Sequence, residues 1–307
     1  MTAAFARRSP AAVAVALATV YLVWGSTYLA IRVTDRTMPP LLMSSVRFLV
    51  AGAALYAFAS RGRARPTWRE WRAAAIVGAA LLLVGNGGVA WAETRLDSGL
   101  AALIVAIIPL WMALLDRLVF GRRLSPAATL GLVVGFGGVA LLVRPGGGVD
   151  VAALALIGTT GAWAAGSLYA RGAPLPQSPL LSASMQMLCA SALLAIAGLI
   201  FGEAGQVHAA AFAAKPVVAW IYLVLVGSLV AFSAYAWLLK NVQISVVSTY
   251  AFVNPVVAVA LGASFLGEAI TATTLLAGAS IVAAVVLIVT GGERRPRVAA
   301  APARATA

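Results

Sequence analysis

Apolar runs of about twenty residues, each nearly free of charge, recur along the whole chain and alternate with short polar connections. Runs of that length span the hydrocarbon core of a bilayer as helices, and a helix satisfies its own backbone hydrogen bonds where no water is present. The pattern predicts ten transmembrane helices, over 11–33, 39–60, 72–92, 97–116, 125–143, 150–170, 179–201, 216–239, 243–266 and 271–291. The connections leave no room for a soluble domain. Residues 1–10 read as a cytoplasmic N-terminal tail, and residues 292–307, rich in Arg, Ala and Pro, as a disordered cytoplasmic extension. Arg7 and Arg8 before an apolar stretch have the look of a signal peptide. The stretch from Ala11 to Ile31 is longer than an h-region of about 7–15 residues, and reads as a retained first helix.

Composition agrees with this pattern. The 307 residues are 62% hydrophobic and 10% charged, against about 25% charged in soluble domains. Lipid must therefore be the solvent for most of the surface. The net charge of +13 does not point to a nucleic acid, because the cations fall in short clusters between apolar runs. With the N-terminus in the cytoplasm, cytoplasmic segments hold 16 Lys and Arg, the outer segments hold five, and Arg47 lies within a span. That bias fits an even number of spans with both termini inside.

The second half repeats the first. Laid over one another with an offset of 146, Trp91 meets Trp237, Pro109 meets Pro255 and Gly121 meets Gly267. Gly25-Ser26-Thr27-Tyr28 likewise resembles Gly166-Ser167-Leu168-Tyr169, and Pro40-Leu41-Leu42 resembles Pro179-Leu180-Leu181. Two units follow, 11–145 and 146–291, with five helices each. Five is odd, so the second unit enters the membrane from the opposite side, the inverted-repeat plan of many secondary transporters.

These residues also carry a family resemblance. Trp24-Gly25-Ser26-Thr27-Tyr28-Leu29-Ala30-Ile31-Arg32, Arg47-Phe48, Gly85-Asn86-Gly87 through Ala92-Glu93, Ser98-Gly99-Leu100, Ile108-Pro109-Leu110, Asn254-Pro255 and Leu266-Gly267-Glu268 occur in an order that resembles the EamA-type family of the drug/metabolite transporter superfamily. The resemblance covers residues 11–291. It implies ten helices around a central cavity, location in a prokaryotic inner membrane as a multi-pass protein, and export or exchange of amino-acid-like metabolites or drugs. The chain departs from the pattern at Gly121-Arg122, where an acid would match Glu268.

Candidate transport residues follow from depth and chemistry. Arg47 lies about eight residues, roughly 12 Å, inside the second span; a cation there faces a cavity or a partner. It reads as an anchor for a substrate carboxylate, as a partner of Glu93, or as a structural cation bonded to helix-end carbonyls. Its repeat mate, Gln186, is neutral. Glu93 ends the third span and is expected to be partly buried, either as a proton-coupling acid or as an interface charge. Asp97 and Asp116 read as interface residues beside Arg95 and Arg117. Asn86 between glycines could bond a polar substrate, or its glycines could serve close helix packing. Pro109 and Pro255 each remove one backbone bond and are hinge candidates, with Tyr250 and Asn254 beside the second. Trp24, Tyr28, Trp163 and Tyr169 are candidates for an aromatic cavity wall, and Trp91 and Trp237 for either that wall or interfacial anchors.

Other classes find little support. The chain lacks a Gly-Lys-Ser/Thr phosphate loop. With one histidine, His208, in a loop and one cysteine, Cys189, in a span, no metal, haem or other cofactor is expected, and no enzyme activity. A passive channel or a membrane sensor or scaffold stands as the alternative. Glycines in spans five and ten favour close packing of two peripheral helices and would allow a homodimer.

Overall fold

The computed structural model describes residues 9–121, 124–143, 150–242, 246 and 249–291. The tail readings for 1–8 and 292–307, and the orientation charges Arg122, Arg123 and Arg144, lie outside the described residues.

Among the described residues the chain forms ten long helical segments, α1 Pro10–Asp35, α2 Pro40–Ala59, α3 Trp68–Glu93, α4 98–120, α5 Pro126–Val143, α6 Val151–Ala170, α7 Pro179–Ile200, α8 214–241, α9 250–266 and α10 Ala272–Gly291, with two short 3-10 turns, Glu203–Gln206 and Ala209–Phe212, between α7 and α8. By length and composition α1–α4 and α6–α8 can each cross a membrane, while α5, α9 and α10 are shorter apolar helices. Helix α3 starts four residues before the expected span. Thr67 accepts from the Glu70 N–H and the Glu70 carboxylate accepts from the Thr67 N–H, a capping box that extends the helix into the arginine-rich connection.

Four segments are irregular. Helices α3 and α8 each widen into eight π-helical residues, Ala79–Asn86 and Leu223–Val230; such widenings are frequent at functional sites. Helix α4 breaks at Ala106–Ile107, just before Pro109, and α9 carries Pro255 inside it and ends in a π segment, Gly262–Leu266. These departures fall in the third and fourth helices of each half.

The packing has a matching order. Helix α2 lies along α7, and α5 along α10. Helix α1 packs on α8 and α9, while α6 packs on α3 and α4. The glycines of α5 make the close α5–α10 approach. An added Cβ at Gly131 would stand 2.7 Å from the Ala284 carbonyl oxygen, and at Gly138 3.1 Å from that of Ala277. The close packing expected of these glycines is made between α5 and α10 of the same chain.

Two carboxylates tie distant segments together. Helix α7 ends at Gly202 (φ +74°) and α9 at Gly267 (φ +70°), a left-handed turn that glycine adopts without strain. The residue after each is a glutamate. Glu203 accepts from the main-chain N–H of Leu41 (3.0 Å) and Leu42 (2.8 Å) at the start of α2. Glu268 accepts from the N–H of Ser98 (2.8 Å) and Gly99 (3.0 Å) and from the Ser98 hydroxyl (2.9 Å) at the start of α4. A helix start has unpaired N–H groups and a positive dipole end, so an anion fits there. The glycines matching by offset, Gly62 (φ +67°) and Gly121 (φ +66°), are followed by Arg63 and Arg122; Arg63 donates to the Ala59 carbonyl of its own helix.

Replacing either acid by its amide removes a charge-assisted network while keeping its shape. Glu268→Gln and Glu203→Gln should each lower stability by about 1–3 kcal/mol, read as a lower unfolding midpoint in detergent; an unchanged midpoint would make the caps incidental.

Candidate functional site

The first-half and second-half helices enclose a cavity of about 100 Å³, room for several waters. Its wall is aromatic and aliphatic: Trp24, Tyr28 and Ile31 from α1, Val89 from α3, Val105 and Ile108 from α4, Trp163 from α6, Phe232 from α8 and Tyr250 from α9. The polar groups on it are few: Thr27, Arg47, Asn86, Thr159, Thr160 and Asn254.

Arg47 is 3% exposed. Its Nε donates to the Ser228 hydroxyl at 2.9 Å, inside the π segment of α8. Gly227, beside it, lets the guanidinium lie close: a Cβ there would be 3.5 Å from Nη2. Nη1 finds no partner among the described residues. Asn86, the last residue of the other π segment, likewise leaves its Oδ1 without a donor. The cavity therefore offers one charged donor and one neutral acceptor in an apolar surround. Leaving either unpaired costs about 1–3 kcal/mol or more, so each calls for water or a ligand. Asn254 is held when its amide is oriented to satisfy its neighbours, the nitrogen then donating to the carbonyls of Tyr21 (3.2 Å) and Tyr250 (3.1 Å).

One end of the cavity is closed by rings. Trp24 lies 5.4 Å from Phe232, 4.9 Å from Tyr235 and 5.4 Å from Tyr250, centroid to centroid. Beyond them Tyr21 and Thr249 share a hydrogen bond between their hydroxyls. Near the opposite end lies a vestibule of about 1160 Å³, between the ends of α1, α3 and α7 and the start of α2. It carries Arg36, Thr94, Arg95, Glu203 and His208, and Arg95 sits 4.3 Å over the Trp91 ring. Thr159 borders both the cavity and the vestibule.

Seven residues marked in the sequence thus meet at one cavity: Trp24, Tyr28, Arg47, Asn86, Trp163, Tyr250 and Asn254. Tyr169 does not join them. It lies near the end of α6, 42% exposed, because the Gly-Ser-Leu-Tyr match to α1 carries it to a different face. Gln186 turns back on its own helix and donates to the Ser182 hydroxyl at 2.9 Å, so the site has one cation and no repeat mate for it. Pro109 follows the wall residue Ile108, and Pro255 follows Asn254. Glu93 differs from its expectation: it is fully buried, and neither carboxylate oxygen accepts a hydrogen bond among the described residues. Asp97, read as an interface residue, is exposed and stands 3.8 Å from the Arg32 guanidinium. Sequence reasoning passed over Ser228, the threonines and Asp35. A hydroxyl in an apolar helix is the only local signal for the first two.

Helices that can cross a membrane, with a largely apolar cavity between them that carries a few polar groups, fit a membrane transport protein. The family model of the EamA-like transporter family matches residues 11–144 and again 151–290, and the chain belongs to that family. It is 40% identical over 282 residues to "Uncharacterized inner membrane transporter YedA" of Escherichia coli (strain K12), covering 90% of each chain. It is 27% identical over 297 residues to "Probable terminal-alkyne amino-acid exporter" of Streptantibioticus cattleyicolor, covering 94% of this chain and 97% of the relative. A crystal structure 23% identical in sequence shares the fold with a TM-score of 0.63 over 91% of this chain and 96% of its own. The protein is a multi-pass transporter of the inner membrane.

The vestibule and the ring cluster make opposite predictions for labelling. In a Cys189→Ser background, Thr159→Cys should react with an impermeant maleimide supplied on the vestibule side, and Tyr235→Cys should not. Protection of Thr159→Cys would mean that the vestibule stops short of the cavity.

Proposed function

We propose that the chain is a secondary transporter that exports or exchanges small amino-acid-like metabolites or drugs by alternating access, through rocking of two inverted five-helix units around the central cavity. The carrying observation is the pairing of an unpartnered Arg47 Nη1 with an unpartnered Asn86 Oδ1 in an aromatic wall. A carboxylate fits the guanidinium, an ammonium fits the amide oxygen, and rings receive an apolar side chain or a cation. Relatives named as an amino-acid exporter and as "Probable amino-acid metabolite efflux pump" of Escherichia coli, the latter 25% identical over 293 residues, support that substrate class.

Several observations support the repeated, ten-span architecture with both termini in the cytoplasm. The family model matches twice, once in each unit. The π segments lie 144 residues apart, and the left-handed glycines pair as Gly62 with Gly202 and Gly121 with Gly267. Exchanging the units converts the contacts of α1 with α8 and α9 into those of α6 with α3 and α4. Pro109 and Pro255 then sit in matched helices as hinges. The ring cluster at one end of the cavity favours a carrier over a continuous pore.

The reading is tested by uptake of labelled amino acids and cationic drugs into proteoliposomes. Arg47→Ala should abolish saturable uptake of carboxylate-bearing substrates while the protein still elutes as a folded species on size exclusion. Wild-type rates in Arg47→Ala would remove Arg47 as the anchor.

A further inference from the structure

Four acidic side chains gather where α1, α3, α7 and α9 end, and the fold treats them in two opposite ways. Glu203 and Glu268 meet the starts of α2 and α4, where main-chain N–H groups solvate their charge. Asp35 and Glu93 are instead the last residues of α1 and α3. A helix end presents carbonyl oxygens and a negative dipole, which disfavours a second negative charge. All four oxygens of this second pair are out of contact with solvent, and none has a well-formed hydrogen bond among the described residues; the one hydroxyl close to Asp35, that of Thr34, is donated to the Ile31 carbonyl at 2.8 Å.

The neighbouring cation attracts both carboxylates but bonds neither. Arg32 gives Nη1 to the main-chain oxygen of Glu93, holds Nη2 3.8 Å from Asp97, and leaves Nε unpaired. An ionised carboxylate buried without a donor costs several kcal/mol, whereas a protonated one is tolerated. The surroundings therefore fit the neutral acid. Asp35 borders the vestibule, together with Thr37, whose hydroxyl is also unpartnered; Glu93 lies behind it, off both the vestibule and the cavity.

From this geometry we propose that Asp35 and Glu93 form a proton-binding site, separate from the central cavity, whose occupancy controls the opening between vestibule and cavity. Asp35 is the port to water and Glu93 the buried store. The charged and titratable groups that act on the pair are Tyr28 and Arg32 from α1, Arg47 from α2, Asp97 before α4, Glu203 after α7 and Glu268 after α9. Loss of the proton to vestibule water turns the Glu93 carboxylate into the strongest acceptor near Arg32. The guanidinium then leaves Asp97 and the Glu93 main chain for that carboxylate, and draws the ends of α1 and α3 together. Those two helices carry Trp24, Tyr28 and Asn86 to the cavity, so the proton state reaches the substrate site through them. The inference extends the transporter reading but is tested without a transported substrate.

Infrared spectra of the purified protein, titrated with pH, read the protonated carboxyl groups directly. A buried carboxylic-acid band should be present at neutral pH, weaken in Glu93→Gln and in Asp35→Asn, and disappear in the double variant. Gln and Asn copy the shape and neutrality of the protonated acids, so these variants should fold with an unchanged or higher unfolding midpoint. A band insensitive to both substitutions, or absent at neutral pH, overturns the site. Maleimide labelling of Thr159→Cys, divided by that of exposed Gln206→Cys, then reads the opening. The ratio should fall as pH rises and stay high in Glu93→Gln. A ratio that falls equally in Glu93→Gln overturns control by this pair, and a ratio that instead follows sodium concentration assigns the site to a metal cation. Failure of amino-acid uptake, by contrast, would bear on the substrate class and leave both of these readouts intact.

Discussion

The cost of placing a charge where water cannot reach it shapes this molecule more than any single contact. A chain with 10% charged residues keeps few of them inside, and each one kept has a distinct physical answer. Buried Glu203 and half-buried Glu268 are met by helix starts, so their hydrogen bonds join α7 to α2 and α9 to α4. Arg47 is met on one edge by Ser228 and left open on another. Asp35 and Glu93 have no well-formed hydrogen bond among the described residues, so the neutral acid suits their surroundings and a proton is their proposed ligand.

The same constraint explains where the helices are irregular. A regular helix in lipid has no backbone group to spare. The π segment of α3 and the break in α4 border the cavity, and the π segment of α8 reaches it through Ser228, which accepts from the cavity residue Arg47. Asn86 ends one π segment, and Ser228 with Gly227 lies in the other, so the irregularities present the two polar ends of the proposed substrate site. Helices α5 and α10, regular and glycine-lined, pack on each other away from it.

Much of this was legible in the sequence for reasons that are local. The span pattern depends on apolar run length alone, and Arg47, Trp24, Asn86 and Trp163 stood out because polar or bulky residues deep in a span need a cavity or a partner. Tyr169 misled because a short repeat match aligns sequence position without fixing which face a side chain takes. Asp35 was passed over because an acid beside Arg36 at the end of a run looks like any interface charge. Glu93 was expected to be partly buried for the same reason, and the packing of α1, α2 and α6 around the end of α3 buries it fully. The roles of Glu203 and Glu268 rest on contacts 162 and 170 residues apart in the chain, beyond any local pattern. Glycine spacing in α5 announced close packing but not its partner, which is α10 of the same chain.

Alternating access to one cavity is the central claim, and counterflow tests it most directly. Proteoliposomes would be preloaded with an unlabelled amino acid from the transported set and diluted into a trace of its labelled form. A carrier whose single site is exposed to one face at a time should concentrate label inside transiently above equilibrium, because inward-bound label is exchanged for outward-bound cold substrate. Label that only approaches equilibrium, at a rate indifferent to the internal load, would contradict the account and point to a pore.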